Sequence, residues 1–314
     1  MIEKLTLWGL VPGRPRPDIA LPGSPQRCLD RALMEDDTGR VWMLEQLRPG
    51  QFERRERIGH ALSSLENTGF PVPAYIPDLN GRFVAEHDNS HFQLSPFIPG
   101  TPLPQPEFIE DSERGHNLGD ILVTLHNAGP AIQEFDIDPP FILESYVNNL
   151  MATLAPRNPN IHEALLPVLS SLTPLFEAWN ELPMVLSHGD FHPLNIIWRE
   201  QSVAAVIDWE FIGVRPALFD VANCLGCIGI EDPLALVRGL TPALLTTLNE
   251  FGCLEKTNFV LLPELILGMR FAWMSEWLRR HDTEMIDLEI RYMRLLTNSI
   301  DTLLPAWQQF LEQP

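Results

Sequence analysis

His188-Gly189-Asp190-Phe191-His192-Pro193-Leu194-Asn195, followed by Val206-Ile207-Asp208-Trp209-Glu210, is the stretch on which the reading of this chain turns. It sets a carboxylate and a carboxamide five residues apart on one loop, and a second carboxylate at the end of the next apolar run. An alcohol that attacks a phosphoryl group needs a positioned acceptor for its proton, and the phosphate charge needs cations to neutralise it. Asp190 suits the first task. Asn195 and Asp208 suit the second, because magnesium is a hard cation that prefers carboxylate and carbonyl oxygen.

Working outward, residues 185–187 and 203–207 read as the short strands that carry this motif. Downstream the chain is mostly helical, with periodic apolar runs at 219–226, 233–240, 242–251, 258–281 and 283–310. Upstream, helices are expected at 117–127, 141–154 and 161–179, the last kinked or divided by Pro167 and Pro174. The first hundred residues differ in character. Residues 27–34 and 41–47 flank the turn Asp36-Asp-Thr-Gly39 as a hairpin, 52–67 has helical spacing, and two further strands fall near 82–86 and 91–98. Pro99-Gly100-Thr-Pro102-Leu-Pro104 is a turn-rich break. The expectation is an α+β chain with a small strand-rich lobe, residues 1–99, and a larger helical lobe, residues 100–314.

Composition narrows the function classes. The 314 residues carry 22 Lys plus Arg against 42 Asp plus Glu, a net charge of −20. No basic run suggests binding to a phosphate backbone, so nucleic acid is not an expected partner. The acidic surface keeps the chain soluble and could concentrate a cationic substrate. No segment approaches the roughly 18 apolar residues of a membrane span, and the N-terminus lacks a secretory core, so no membrane partner is expected. Cys224-Leu-Gly-Cys227 has the spacing of a redox or half-zinc motif, yet no second pair accompanies it and it lies in an apolar run that reads as packed helix. These features fit the cytoplasm.

Three motifs in order, His188-Gly-Asp190-x-His192-x-x-Asn195, then Ile207-Asp208-Trp209-Glu210, then Pro216-x-x-x-Asp220-Val-Ala222, resemble the aminoglycoside phosphotransferase / choline kinase superfamily. The Asp190-to-Asn195 spacing equals that of the kinase catalytic loop, and Asp208 falls where the second metal-binding aspartate would. The resemblance implies a protein-kinase-like fold, ATP and Mg2+ as cofactors, and a small hydroxylated molecule as acceptor. It implies Asp190 as catalytic base, with His188, His192 and Asp220 supporting the loop. His188 would brace the loop, and His192 could reach a phosphate or simply pack. Residues 118–126 are similar to the family's leucine–histidine helix. Residues 92–100 look like its hinge, where backbone from Ser95 to Phe97 would bind adenine.

The N-terminal part departs from the pattern. Kinases grip the nucleotide phosphates with a lysine on the third strand, held by a helix glutamate. The two lysines of this chain, Lys4 and Lys256, lie on no such strand, and the matching position in Trp42-Met-Leu-Glu45-Gln46-Leu47 is Glu45 or Gln46. Arg27, Arg31 and Arg48 are candidate replacement cations. Glu53 and Glu56 are either partners for such a cation or solvent-facing members of a charged helix. The glycine-rich loop is reduced to Leu21-Pro-Gly23-Ser24, with Ser24 a candidate phosphate contact. For the acceptor, Arg270, Trp273 and Trp277 share a helical face, and Glu210 adds a carboxylate. A tryptophan wall suits an amino alcohol or another aminated acceptor through cation–π contact, and helix packing explains the same spacing. Homoserine, a sugar and an aminoglycoside stay open as acceptors. So does the alternative that the altered wall marks an impaired pseudokinase acting as a nucleotide-binding or scaffold protein. The oligomeric state is not legible.

Overall fold

The computed structural model describes residues 1–21 and 27–312. In chain order its elements are β1 (Pro12–Pro15), β2 (Asp30–Asp36), β3 (Val41–Gln46), α1 (Phe52–Asn67), β4 (Ala85–His87), β5 (Ser90–Pro96), α2 (Ser112–Ala128), α3 (Leu143–Arg157), α4 (Pro159–Ser171) and α5 (Thr173–Ala178). Then follow β6 (Met184–Ser187), β7 (Ile196–Arg199), β8 (Ser202–Val206), β9 (Gly213–Pro216), α6 (Phe219–Glu231), α7 (Leu240–Glu250), α8 (Lys256–Phe259), α9 (Leu262–Arg280) and α10 (Thr283–Leu311). The chain forms two compact units. The first holds residues 1–102, 128–137 and 194–212, and the second holds 103–127, 138–193 and 213–314. The sequence suggested one cut near residue 99; the first unit in fact also takes in two later segments.

The first unit is built on a five-stranded antiparallel sheet in the order β1-β2-β3-β5-β4. Its β2–β3 turn is set by Asp36. One carboxylate oxygen accepts the N–H groups of Thr38 and Arg40, and the other accepts Trp42 Nε1 at 2.9 Å. Alternation then decides the faces. Trp42 and Leu44 pack with Leu5, Trp8, Met34 and Leu94 in an apolar core, so Met43 and Glu45 point the other way. Helix α1 buries Ile58, Ala61, Leu62 and Leu65, and Gly59 sits directly on Phe83, where a Cβ would collide with the ring. A hairpin of β7 and β8 belongs to the same unit.

The second unit is mainly helical and carries the antiparallel pair β6–β9. α9 packs along α6 and α10, and Trp307 Nε1 on α10 donates to Leu236 O at 2.7 Å. Among the described residues no helix is long and apolar enough to cross a membrane.

Several elements differ from the sequence expectation for local reasons. The helix expected over 161–179 divides at Leu172. Pro174 lies in the first turn of α5, where a missing N–H is harmless, while Pro167 stays inside α4. The strand expected from residue 82 begins only at Ala85, because Arg82 N–H is taken by Asp78 and the N–H groups of Phe83 and Val84 by the Glu56 carboxylate. Glu56 is therefore a structural anchor rather than a solvent-facing charge, whereas Glu53 is exposed. The helix expected over 233–240 is a single 3-10 turn, Pro233–Leu236, followed by Gly239 at φ +61° before α7 starts. Strands β1, β7 and β9 were not anticipated.

Candidate active site

In the second unit the loop after β6 is fixed by its backbone. Asp220, in the first turn of α6, accepts the N–H of His188 at 2.6 Å and of Gly189 at 2.9 Å. Gly189 has φ +84°, a conformation that favours glycine. Burial pushes the Asp220 carboxyl up to about 6, against the two N–H bonds and the nearby Arg215, which pull it down. His188 is fully buried and its Nδ1 accepts the Asp190 N–H at 3.2 Å. Its ring is thus committed to shaping the loop.

Asp190 stands at the partly exposed end of this loop. Asn223 Nδ2 lies 3.5 Å from its Oδ1 and also donates to Phe191 O at 3.2 Å. His192 Nε2 lies 3.7 Å from the same Oδ1, and its ring meets Trp273 edge-on with centroids 5.6 Å apart. Trp273 Nε1 donates to Asn223 Oδ1 at 3.1 Å, completing a chain from α9 through α6 to the loop. Asn223 escaped the sequence reading. The available signal was a carboxamide in the middle of the apolar run 219–226, one residue beyond Asp220-Val-Ala222.

The proposed acceptor face resolves into two kinds of residue. Trp273 and Trp277 are half-buried, with ring centroids 5.6 Å apart, and Trp273 lies beside the Asp190 loop. Arg270 does not reach a ligand surface: it is 1% exposed and makes paired 2.6 Å bonds to Glu289, which also accepts Trp277 Nε1 at 3.1 Å. A buried guanidinium needs such a partner, so Arg270 braces the helices instead.

In the first unit the β7–β8 hairpin brings Asn195 and Asp208 to adjacent ends, with Ile207 N–H donating to Asn195 O at 2.9 Å. Asp208 adopts a left-handed conformation, φ +75°, which aspartate tolerates better than most residues. It pairs with Arg27, whose guanidinium also lies over the Phe211 ring. Among the described residues no group of three or more His, Cys, Asp and Glu could hold a metal by itself. One amide and one carboxylate oxygen do fit magnesium, which takes the rest of its shell from phosphate and water.

Arg27, Arg31, Glu45, Arg55 and Asp208 line a cavity of about 120 Å³ in this unit. Gln46 faces away from it and bonds Ser90 Oγ, so Glu45 holds the position in question. Arg48 is exposed and does not line the cavity. Arg55, unremarked in the sequence, is 5% exposed, forms an ion pair with Glu210 Oε2 at 2.6 Å and donates to Tyr75 Oη at 3.2 Å. That pairing ties Glu210 to this cavity rather than to an acceptor. Ser24 lies outside the described residues.

At the hinge expected from Ser95 to Phe97, the backbone groups face two ways. Phe97 N–H is spent on Val41 O at 3.0 Å, and Ser95 stands opposite Met43 in the ladder. Strand alternation turns the Pro96 carbonyl and the Ile98 N–H to the other edge. Both residues line the cavity, and neither group has a bond among the described residues.

The CxxC pair makes neither a disulfide nor a metal site. All four thiols are free. Burial pushes Cys227 up to about 12 and Cys224 also well above its usual value, the opposite of a reactive thiolate.

Residues 30–252, more than two thirds of the chain, match the model of the phosphotransferase enzyme family. Stress response kinase A of Shigella flexneri is 24% identical over 257 residues, 79% of this chain and 73% of that protein. Homoserine kinase of Beijerinckia indica subsp. indica is 26% identical over 223 residues, 69% and 68% of the two chains. The fold is shared with the solved amicoumacin kinase in complex with AMP-PNP, Ca2+ and Ami, at TM-score 0.65 and 13% identity over 95% of this chain and 92% of that one. With the motif order, the sheet and the helical unit in agreement, the chain belongs to the phosphotransferase enzyme family and has its kinase-like fold.

Proposed function

We propose that the protein transfers a phosphoryl group from ATP to a hydroxyl of a small molecule, with Asp190 as catalytic base. The observation that carries this reading is the partly exposed Asp190 carboxylate on a loop whose backbone is pinned by buried Asp220. Such pinning holds a base in place while an alcohol is presented to it. As the acceptor oxygen bonds the γ-phosphorus, the bond from that phosphorus to the bridging oxygen breaks, ADP leaves with the electron pair, and the acceptor's proton passes to the Asp190 carboxylate. Asn223 and His192 both address Oδ1 and hold the plane of the carboxylate during that transfer. Asn195 and Asp208 would hold Mg2+, which when bound neutralises phosphate charge. Pro96 O and Ile98 N–H would hold the adenine edge. Residues 1–99 are assigned to nucleotide binding and 100–314 to catalysis and acceptor binding, and the cytoplasm supplies the ATP.

The acceptor class is open among amino alcohols, sugars, homoserine and aminoglycosides. The half-buried Trp273 and Trp277 favour an aminated one. An ATP-consumption screen with Mg2+ across choline, ethanolamine, homoserine, hexoses and aminoglycosides tests the reading. Turnover with one class, lost in Asp190→Ala, is the expected result; turnover unchanged in Asp190→Ala removes the base assignment. A second reading, a nucleotide-binding pseudokinase, draws on Glu45 in the cavity wall. It predicts a thermal shift with ATP and Mg2+ but no turnover with any acceptor.

A further inference from the structure

We propose that Arg55 on helix α1 is the phosphate-binding cation of this chain, in a strand–helix pair whose charges are exchanged, with the carboxylate of Glu45 on the strand and the guanidinium on the helix. The inference rests on the nucleotide-binding reading above and deepens it.

The usual arrangement puts an ammonium on the third strand and a carboxylate on the helix. Here β3 presents Glu45 to the cavity, flanked in register by Arg31 on β2 and Gln93 on β5. Helix α1 presents Arg55 to the same cavity, on the stripe that continues through Ile58 and Leu62. Both charges are therefore retained at this wall, on opposite elements. No ion pair shorter than 4 Å joins them among the described residues; Glu45 acts on Arg55 through space, and together with Glu210 and Tyr75 it favours the charged guanidinium against burial.

The bonds of Arg55 leave one of its donors unspent. Nη2 is held by Glu210 Oε2, and Nη1 by Tyr75 Oη with Gln93 Oε1 at 3.5 Å. Nε is buried with no partner among the described residues. A guanidinium has five N–H donors in a rigid fork, so it can stay anchored through one edge and offer a donor from another to phosphate oxygen, which a lysine cannot do. Arg27 is already engaged by Asp208. Around the cavity, Arg27, Arg31 and Arg55 stand with Glu45 and Asp208, and Glu210 is held on Arg55.

The test compares Mg-ATP with adenosine, which shares the base and ribose but lacks phosphate, by calorimetric titration of the full chain. Arg55→Gln is expected to weaken Mg-ATP at least about tenfold, while adenosine affinity stays at the wild-type value. The exchanged variant Glu45→Lys/Arg55→Glu is expected to recover the phosphate preference that Arg55→Glu alone loses. An Arg55→Gln protein with the wild-type ratio of the two affinities overturns the proposal, because a purely structural role would not discriminate between the ligands. If Arg55→Gln does not fold, the exchanged variant decides: loss of its phosphate preference overturns the proposal. Wild-type protein that binds neither ligand overturns the nucleotide-binding reading itself, a different failure from binding that is indifferent to Arg55.

Discussion

The loop around Asp190 and the wall around Arg55 handle buried charge in opposite ways. Asp220 is compensated by backbone, two N–H groups of the loop it holds. Arg55 is compensated by side chains, with Glu210 in contact and Glu45 across the cavity. A charge satisfied by backbone is locked to one sign and one residue type, because the N–H groups cannot change. A charge satisfied by side chains can be exchanged for its opposite, provided the partner changes too. That difference accounts for a loop that keeps its family's pattern and a wall that does not.

The sharpest way to break the comparison is at the loop itself. Asp190→Ala should lower kcat at least about a hundredfold with little change in Mg-ATP affinity by titration, since a positioned base contributes roughly 10²–10⁴. A second test uses another side-chain pair. Glu289→Ala, leaving Arg270 buried and unpaired, should cost about 3–5 kcal/mol in urea unfolding, and replacing both partners with apolar residues should recover most of it. If the double replacement recovers nothing, side-chain compensation is less exchangeable than the wall implies.

Asp220 offers a pH test. Its folded-state value, about 6, lies above the usual carboxylate range, so the folded protein holds this proton more tightly than the unfolded chain. The resulting stability is fully present below about pH 4 and is lost as pH rises through about 6, a change of roughly 3 kcal/mol. Carboxylates with lowered values, such as Glu276, titrate with the opposite sign. The measurement is therefore the difference between wild type and Asp220→Asn across pH 4 to 7. No pH-dependent difference would remove the desolvated state assigned to this anchor. Asn223→Ala should lower kcat about tenfold and leave the KM for ATP in place, because it orients the base without touching the nucleotide cavity. The smallest expected effect is that of alkylating the accessible cysteines, which should leave activity unchanged. Loss on alkylation would point to Cys227 or Cys253, the two partly exposed thiols.

What could be read in advance follows the same division. Asp190, Asn195 and Asp208 stood out as candidates because of their spacing, and α1 was placed at 52–67 by apolar periodicity and the stops at Gly69, Pro71 and Pro73. Arg55 lies three residues before Ile58 and seven before Leu62, so its inward direction was present in that periodicity. It was hidden within the charged run Glu53-Arg54-Arg55-Glu56-Arg57, which reads as a solvated face. Glu56 was equally opaque, since its partners are backbone groups 27 and 28 residues away. That Pro96 and Ile98 rather than Ser95 and Phe97 turn backbone groups away from β3 depends on which side of β5 pairs with β3, and side-chain patterning does not carry that information.

The exchanged wall also has a history built into it. From a lysine–glutamate wall, replacing either residue alone sets two like charges around one narrow cavity, two acids or two bases. From the present wall, the way back is equally obstructed. Any path between the two walls by single substitutions therefore passes through a like-charged wall. Position 45 should co-vary with position 55 across descendants, while Asp190 and Asp220 stay constant through the same divergence.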